Sequence, residues 1–361
     1  MTGNYSLSNQ VNSSGGLYLV GNEQAIGFGA NSNLANVFVQ GNGNKVLASD
    51  LTITSLISFT GNNDFLTNEN TLLLTNNVEV SGAGTNAHIV GSLSRRGGGN
   101  MFFPIGTTNN YAASTLEGIF GEANEIKLSF EEGNVEGIAG FGLLEVSPNG
   151  SWDVQVINGS IQDGMITLPL NNEAFLTDPS EAVVAFGETS SGAFRSLGGT
   201  DLSGDQIEGV ISSSQPLLPG KYAIGRLFDE SLREQDSLAL VDFYNATIGE
   251  EWITNTGWLT NSLDDWSGLT LADKRVARID LSANNLQNAL PGVTSGLTNV
   301  SALNMSNNRL TSIGDITTMT SLASIDVSNN RLQFGSLENI PLSITNRILG
   351  RKIPLQKDAA T

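Results

Sequence analysis

The stretch Val276-Ala-Arg-Ile-Asp-Leu-Ser-Ala-Asn-Asn-Leu286 recurs twice more in the chain. It returns as Val300-Ser-Ala-Leu-Asn-Met-Ser-Asn-Asn-Arg-Leu310 and as Leu322-Ala-Ser-Ile-Asp-Val-Ser-Asn-Asn-Arg-Leu332. Four positions stay apolar in every copy, and the ninth is always asparagine. The apolar spacing demands one short strand per copy, its alternate residues turned inward. The asparagines Asn284, Asn308 and Asn330 fall where the chain leaves that strand. An amide there both donates and accepts, so it can pair main-chain groups that the turn would otherwise bury unpaired. One such coil cannot cover its own apolar face, so neighbours and caps are obligatory.

The spacing L-x-x-L-x-L-x-x-N-x-L identifies the copies as leucine-rich repeats. A fourth copy would start at Ile344, but Arg347 stands where an apolar residue is needed, so the array is expected to end near 334–341. Upstream, Trp252, Trp258 and Trp266 are expected to form a capping core over the first repeat. The outward positions line up as Arg278/Ala302/Ser324, Asp280/Asn304/Asp326 and Ala283/Asn307/Asn329. Any binding by this module should therefore use Arg278, Asp280, Asn304, Asn307 and Asp326, with Asn304 and Asn307 exposed and dispensable for stability.

Working outward, Asp229 to Asp236 is a charged run that reads as a linker, with Asp236 or Ser237 capping a helix through Leu238, Leu240, Val241, Phe243 and Tyr244. From about 86 to 228, strand-like runs such as Ile126–Phe130 and Trp152–Val156 alternate with Asn-Gly and Asp-Gly corners. Those corners signal hairpins and an antiparallel β-sandwich. Residues 1–94 carry only six charged side chains, Glu23, Lys45, Asp50, Asp64, Glu69 and Glu79. Short β-rich runs there, parted by Gly/Asn corners, read as a β-solenoid. The expected organisation is thus mainly β and multidomain: a solenoid-like region at 1–85, a sandwich at 86–228, a repeat module with a helical N-terminal cap at 229–341, and an exit strand or linker at 342–361.

Within 361 residues, 17 Lys and Arg face 36 Asp and Glu, a formal charge of −19. Phosphate binding needs clustered bases, so no nucleic-acid partner is expected. No apolar run is long enough to form a transmembrane helix. Cysteine is absent and His88 is the only histidine, which removes thiol nucleophiles and His-rich zinc sites. The sequence holds no Walker loop, no G-x-S-x-G elbow and no H-E-x-x-H. Adjacent acids such as Glu131-Glu132 point to opposite faces of a strand and do not form an acid/base pair by themselves. Arg95-Arg96 before Gly97-Gly-Gly99 suits a carboxylate or a glycan, but more readily marks a strand-end loop. Asp201-Leu-Ser-Gly-Asp205 places two carboxylates in one loop, oxygen ligands suited to calcium. No other cofactor is expected.

The segments Asp236–Thr247, Trp258-Leu-Thr, Trp266-Ser-Gly-Leu, His88–Arg96, Met101-Phe-Phe-Pro-Ile-Gly-Thr107 and Gly220-Lys-Tyr-Ala-Ile-Gly225 resemble exported, multidomain surface proteins of gliding and biofilm-forming Gram-negative bacteria. The likeness covers about residues 86–340, and residues 1–85 resemble the solenoid that often precedes them. The resemblance implies a non-catalytic extracellular or cell-surface protein that serves adhesion or scaffolding and binds protein or glycan. Two alternatives remain: a glycan-active enzyme on a β-solenoid, and an intracellular leucine-rich-repeat adaptor.

Overall fold

The computed structural model describes residues 4–348 except 7–8, 120, 134, 162, 172, 177, 205–207, 294–295 and 345. It is mainly β and divides into two compact units, Met1–Phe228 and Asp229–Thr361.

The first unit begins as a β-solenoid. One parallel row stacks Tyr5–Ser6, Gln24–Gly27, Lys45–Leu47, Phe65–Leu66, Ile89–Val90 and Ile105–Gly106. A second row stacks Asn12–Leu19, Asn33–Asn42, Leu51–Asn62, Leu72–Leu74 and Leu93–Arg96. Inward residues alternate along each strand. In Leu51–Asn62 they are Leu51, Ile53, Ile57 and Phe59, with the alternation reset by a bulge against Leu34 and Asn36. Polar corners also ladder, as where Asn33 Nδ2 donates to Asn12 Oδ1 at 3.0 Å.

The second row does not stop at residue 85. Leu93–Arg96 pairs parallel with Leu72–Leu74 on one edge and antiparallel with Glu125–Glu132 on the other. The same sheet then continues antiparallel through Gly150–Asn158, Gly220–Leu227 and Ala182–Gly187. A facing antiparallel sheet runs Gly99–Phe103, Ser114–Ile119, Met165–Pro169, Val210–Ser212 and Thr200–Ser203. One apolar core holds Leu17 and Ile53 from the coils together with Leu116, Trp152, Ile166 and Ile224 from the sandwich. Residues 1–85 and 86–228 are therefore one folded body rather than two. The change in charge and proline content at about residue 86 marks no joint, because backbone ladders form regardless of which side chains face solvent.

The second unit opens with the helix Glu230–Ala246, capped by Asp229, whose Oδ1 accepts from Ser231 N at 3.0 Å. The charged run 229–236 is therefore the start of the helix and not a linker. Asp236 lies inside the helix and is fully buried. Three parallel repeat strands follow, Arg275–Asp280, Ala302–Asn304 and Ser324–Asp326, with Leu269–Ala272 antiparallel at one edge. A further strand, Asn346–Ile348, adds parallel to Ser324–Asp326, so the ladder runs one strand past the third repeat despite Arg347. Strand pairing is a main-chain matter and does not require the apolar residue that the consensus asks for.

Candidate functional site

Every apolar position of the three repeats is buried, from Val276 and Ile279 to Val327 and Leu332. The asparagine row beneath them is a chain of main-chain contacts. Asn308 Nδ2 donates to the carbonyls of Leu281, Met305 and Ser306, at 2.8, 3.0 and 3.1 Å. Its Oδ1 accepts from the N–H groups of Asn284 and Leu286, both at 3.0 Å. Asn330 repeats the pattern one coil on, donating to Met305 O and accepting from Leu310 N. Asn284 instead engages the cap, accepting from Thr254 N at 2.6 Å and donating to Thr254 O at 2.9 Å. Trp252, Trp258 and Trp266 are each about 95% buried in that cap, with rings of successive residues 4.8 and 4.7 Å apart. Each indole N–H donates to a carbonyl, of Thr247, Ser267 and Asn261 respectively.

With the interior fixed, the opposite face of the strands forms the candidate site. Register places Arg278 beside Ala302 and Ser324, and Asp280 beside Asn304 and Asp326. Arg278 and Asp280 are exposed, whereas Asn304 and Asp326 are half-buried. In the second row each side-chain oxygen turns back onto its own chain. Asp280, Asn304 and Asp326 accept from Ser282 N, Ser306 N and Ser328 N at 3.0, 3.1 and 2.9 Å. These turns end each strand, so Asn304 has a structural duty as well as an accessible face. Burial disfavours the Asp280 anion, but hydrogen bonds from Ser282 and Asn304 outweigh it and hold its carboxyl below the usual range.

Asn307 is exposed, but it sits on the turn beyond the strand with φ +58°. Asn329 has φ +54° and donates to Asn307 Oδ1 at 2.8 Å; the equivalent Ala283 has φ +51°. Asparagine tolerates this left-handed region, and alanine does so poorly. A cavity of about 260 Å³ opens beside Asp280, lined also by Ser267, Ser282 and Asn284. The Ser267 hydroxyl is buried there with no hydrogen-bond partner among the described residues. Neither the cavity nor Ser267 stands out in the sequence, because Ser267 lies outside the repeat pattern.

Asp201 is exposed with φ +53°, and Asp205 lies outside the described residues. Among the described residues no group of three or more His, Cys, Asp or Glu side chains could hold a metal ion. His88 is buried, with Nε2 2.8 Å from Thr107 O and Nδ1 3.1 Å from Gly84 O. Lys45, the one basic residue before Arg95, is fully buried inside the coil. Its ammonium donates to the carbonyls of Asn22, Asn42 and Gly43, and burial lowers its pKa. Glu173 is a buried carboxyl that sequence inspection passes over. It accepts from Ser147 Oγ at 2.6 Å and Asn149 Nδ2 at 2.9 Å, and burial pushes it up to about 7 despite both bonds. No helix among the described residues is long and apolar enough to cross a membrane.

Residues 274–332 match the family model for the leucine rich repeat. No curated protein and no solved structure gives a significant match to the chain. The matched span is the one whose strands, buried apolar rows and asparagine ladder have just been described, and the chain carries a leucine-rich-repeat module there.

Proposed function

We propose that this chain is a non-catalytic segment of a secreted or cell-surface protein, serving adhesion or scaffolding by binding protein or glycan on its repeat strands. The carrying observation is the register that stacks Arg278, Asp280, Asn304 and Asp326 on adjacent strands of a repeat module. A stacked polar sheet face on a solenoid is a recurrent interaction surface. Its small side chains and single arginine suit a partner rich in hydroxyls and amides, rather than one that inserts large apolar anchors. The export reading rests on composition and on the resemblance of residues 86–340.

The test is retention of the purified chain on arrays of extracellular glycans and outer-surface proteins. Arg278→Glu should reduce retention at least about tenfold, while Asp163→Lys, far away in sequence on the first unit, should not. Equal retention by both variants sinks the assignment of this face.

A glycan-active enzyme is the second reading, favoured by one observation. Glu132 and Glu173 line a common cavity of about 480 Å³ with Asn110, Asn149 and Asn171. Hydrolysis of any polysaccharide that disappears in Glu173→Gln would establish it. Loss of the Glu173 carboxylate without loss of turnover would place that activity elsewhere.

A further inference from the structure

Arg95 is 8% exposed, yet no carboxylate pairs with it among the described residues. Its Nη1 donates to Phe102 O at 2.6 Å and its Nη2 to Val78 O at 2.9 Å. Two carbonyl dipoles do not neutralise a guanidinium, and a buried charge without a counter-ion is costly. Burial lowers its pKa to about 10, with no opposing charge.

This arginine lines an open cavity of about 390 Å³ together with Arg96, Asn76, Asn77, Asn100 and Phe102. No acid appears in that lining. Four other cavities of the molecule each include at least one carboxylate, from Glu188, Asp163, Glu173 or Asp280. In a chain of formal charge −19, Arg95 brings a positive charge with no carboxylate partner to an acid-free lining, while Arg96, on the opposite face of the strand, reaches only its rim and is paired with Glu125. Arg96 is itself held in place, its Nε and Nη2 donating to Glu125 Oε2 at 3.1 and 2.5 Å. The loop after it must be glycine: a Cβ on Gly97, at φ +141°, would lie 1.6 Å from Asn76 Oδ1.

We propose that this cavity binds a sugar acid, a hexuronate residue of an acidic polysaccharide, with its carboxylate on Arg95. A guanidinium fork matches a carboxylate. The three asparagine amides match ring hydroxyls, and the 37% exposed ring of Phe102 offers a wall for the sugar's C–H face. The volume falls in the range of small-molecule sites, about 300–1,000 Å³. This site lies in the first unit and stands independently of the repeat face.

The experiment is calorimetric titration of the full chain with sodium glucuronate, glucose and sodium sulfate, each at constant ionic strength. Glucuronate should saturate with Kd of about 1 mM or tighter, and glucose and sulfate should bind at least tenfold more weakly. Asn100→Ala and Arg96→Ala, both at the cavity mouth, should weaken glucuronate about three- to tenfold. Arg95→Gln should abolish it while far-ultraviolet circular dichroism stays native. If Arg95→Gln does not fold, the two mouth variants decide. Absence of saturation, undiminished binding in the mouth variants or in folded Arg95→Gln, or sulfate binding equal to glucuronate would each overturn the assignment.

Discussion

Asn308 occupies a position where one side chain serves two coils, and the cost of losing it follows from that. Alanine there leaves two buried N–H groups, of Asn284 and Leu286, without their acceptor. Each orphan costs about 1–3 kcal/mol, so Asn308→Ala should destabilise the second unit by about 2–6 kcal/mol in denaturant melts. Asn330→Ala, with one N–H served and more solvent, should cost about half as much. Asn304→Ala removes the acceptor of Ser306 N and a hydrogen bond to the exposed Asp280 carboxylate, and should cost about 1 kcal/mol. A cost for Asn304→Ala as large as for Asn308→Ala would contradict this division of labour. Ala283 tests the turn in the opposite direction. Its φ of +51° penalises any Cβ, so Ala283→Gly should stabilise the unit by about 0.5–1 kcal/mol. In the first unit, Glu173 titrates near 7 when folded and near 4.5 when unfolded. The folded state then holds the extra proton between those values, and its stability falls as pH rises through that window. Glu173→Gln should flatten the slope of stability between about pH 4.5 and 7, measured by urea melts. An unchanged slope would show that another group sets it.

Beside the apolar contacts of Ala239, Leu240 and Phe243, one buried polar side chain ties the helix Glu230–Ala246 to the repeats. Asp236 accepts from Arg275 Nε and Nη2 at 2.7 and 2.8 Å, and from the N–H groups of Val276 and Leu297 at 3.1 and 2.7 Å. Asp236→Ala therefore strands a buried guanidinium and two N–H groups together, and should cost about 3–5 kcal/mol. The paired change Asp236→Leu with Arg275→Met removes both charges but not the two orphaned N–H groups. It should remain at least about 2 kcal/mol below wild type in thermal or denaturant melts. Full recovery would mean that the ion pair, and not the backbone, carries the effect. This element also shows where sequence reading loses its grip. The repeats are legible because each apolar position recurs and stacks on its own copy. Asp236 followed by Ser237 has the look of a helix cap, and nothing in the periodicity says that a charge there is buried and answered 39 residues later by Arg275. Glu173 in its Asn-Asn-Glu loop was hidden for the same reason, its partners Ser147 and Asn149 being distant in sequence, and Ser267 because it lies outside the repeat pattern. Arg95-Arg96 did stand out, through its glycine run, but that Glu125 answers Arg96 and no carboxylate answers Arg95 is visible only in three dimensions.

At the scale of the molecule, the two units each hold their own apolar core. Separately produced 1–228 and 229–361 should each melt cooperatively, and their transitions should reproduce two components in calorimetry of the full chain. Limited proteolysis should cut near Leu227–Asp229, and not within 230–246, where the chain is helical. Stable fragments ending near residue 85 are not expected, since the sheet crosses that point without a break. A protease that released a folded 1–85 piece would refute the single-body description of the first unit. The boundary at 228 was foreshadowed by the charged run, whereas continuity through residue 85 was not, because side-chain composition changes there while hydrogen bonding does not.

The asparagine ladder also has a direction. Asn330 supports the coil of Asn308, Asn308 supports that of Asn284, and Asn284 supports the cap at Thr254. Each rung is thus a lender to the rung before it and never to the one after. Erosion of the array from its far end leaves main-chain groups of the remaining coil, such as Leu310 N, without a partner, whereas erosion from the near end leaves only a side-chain amide, such as that of Asn308, unpaired. A side-chain amide can turn to water where a fixed main-chain group cannot, so wear at the far terminus costs more.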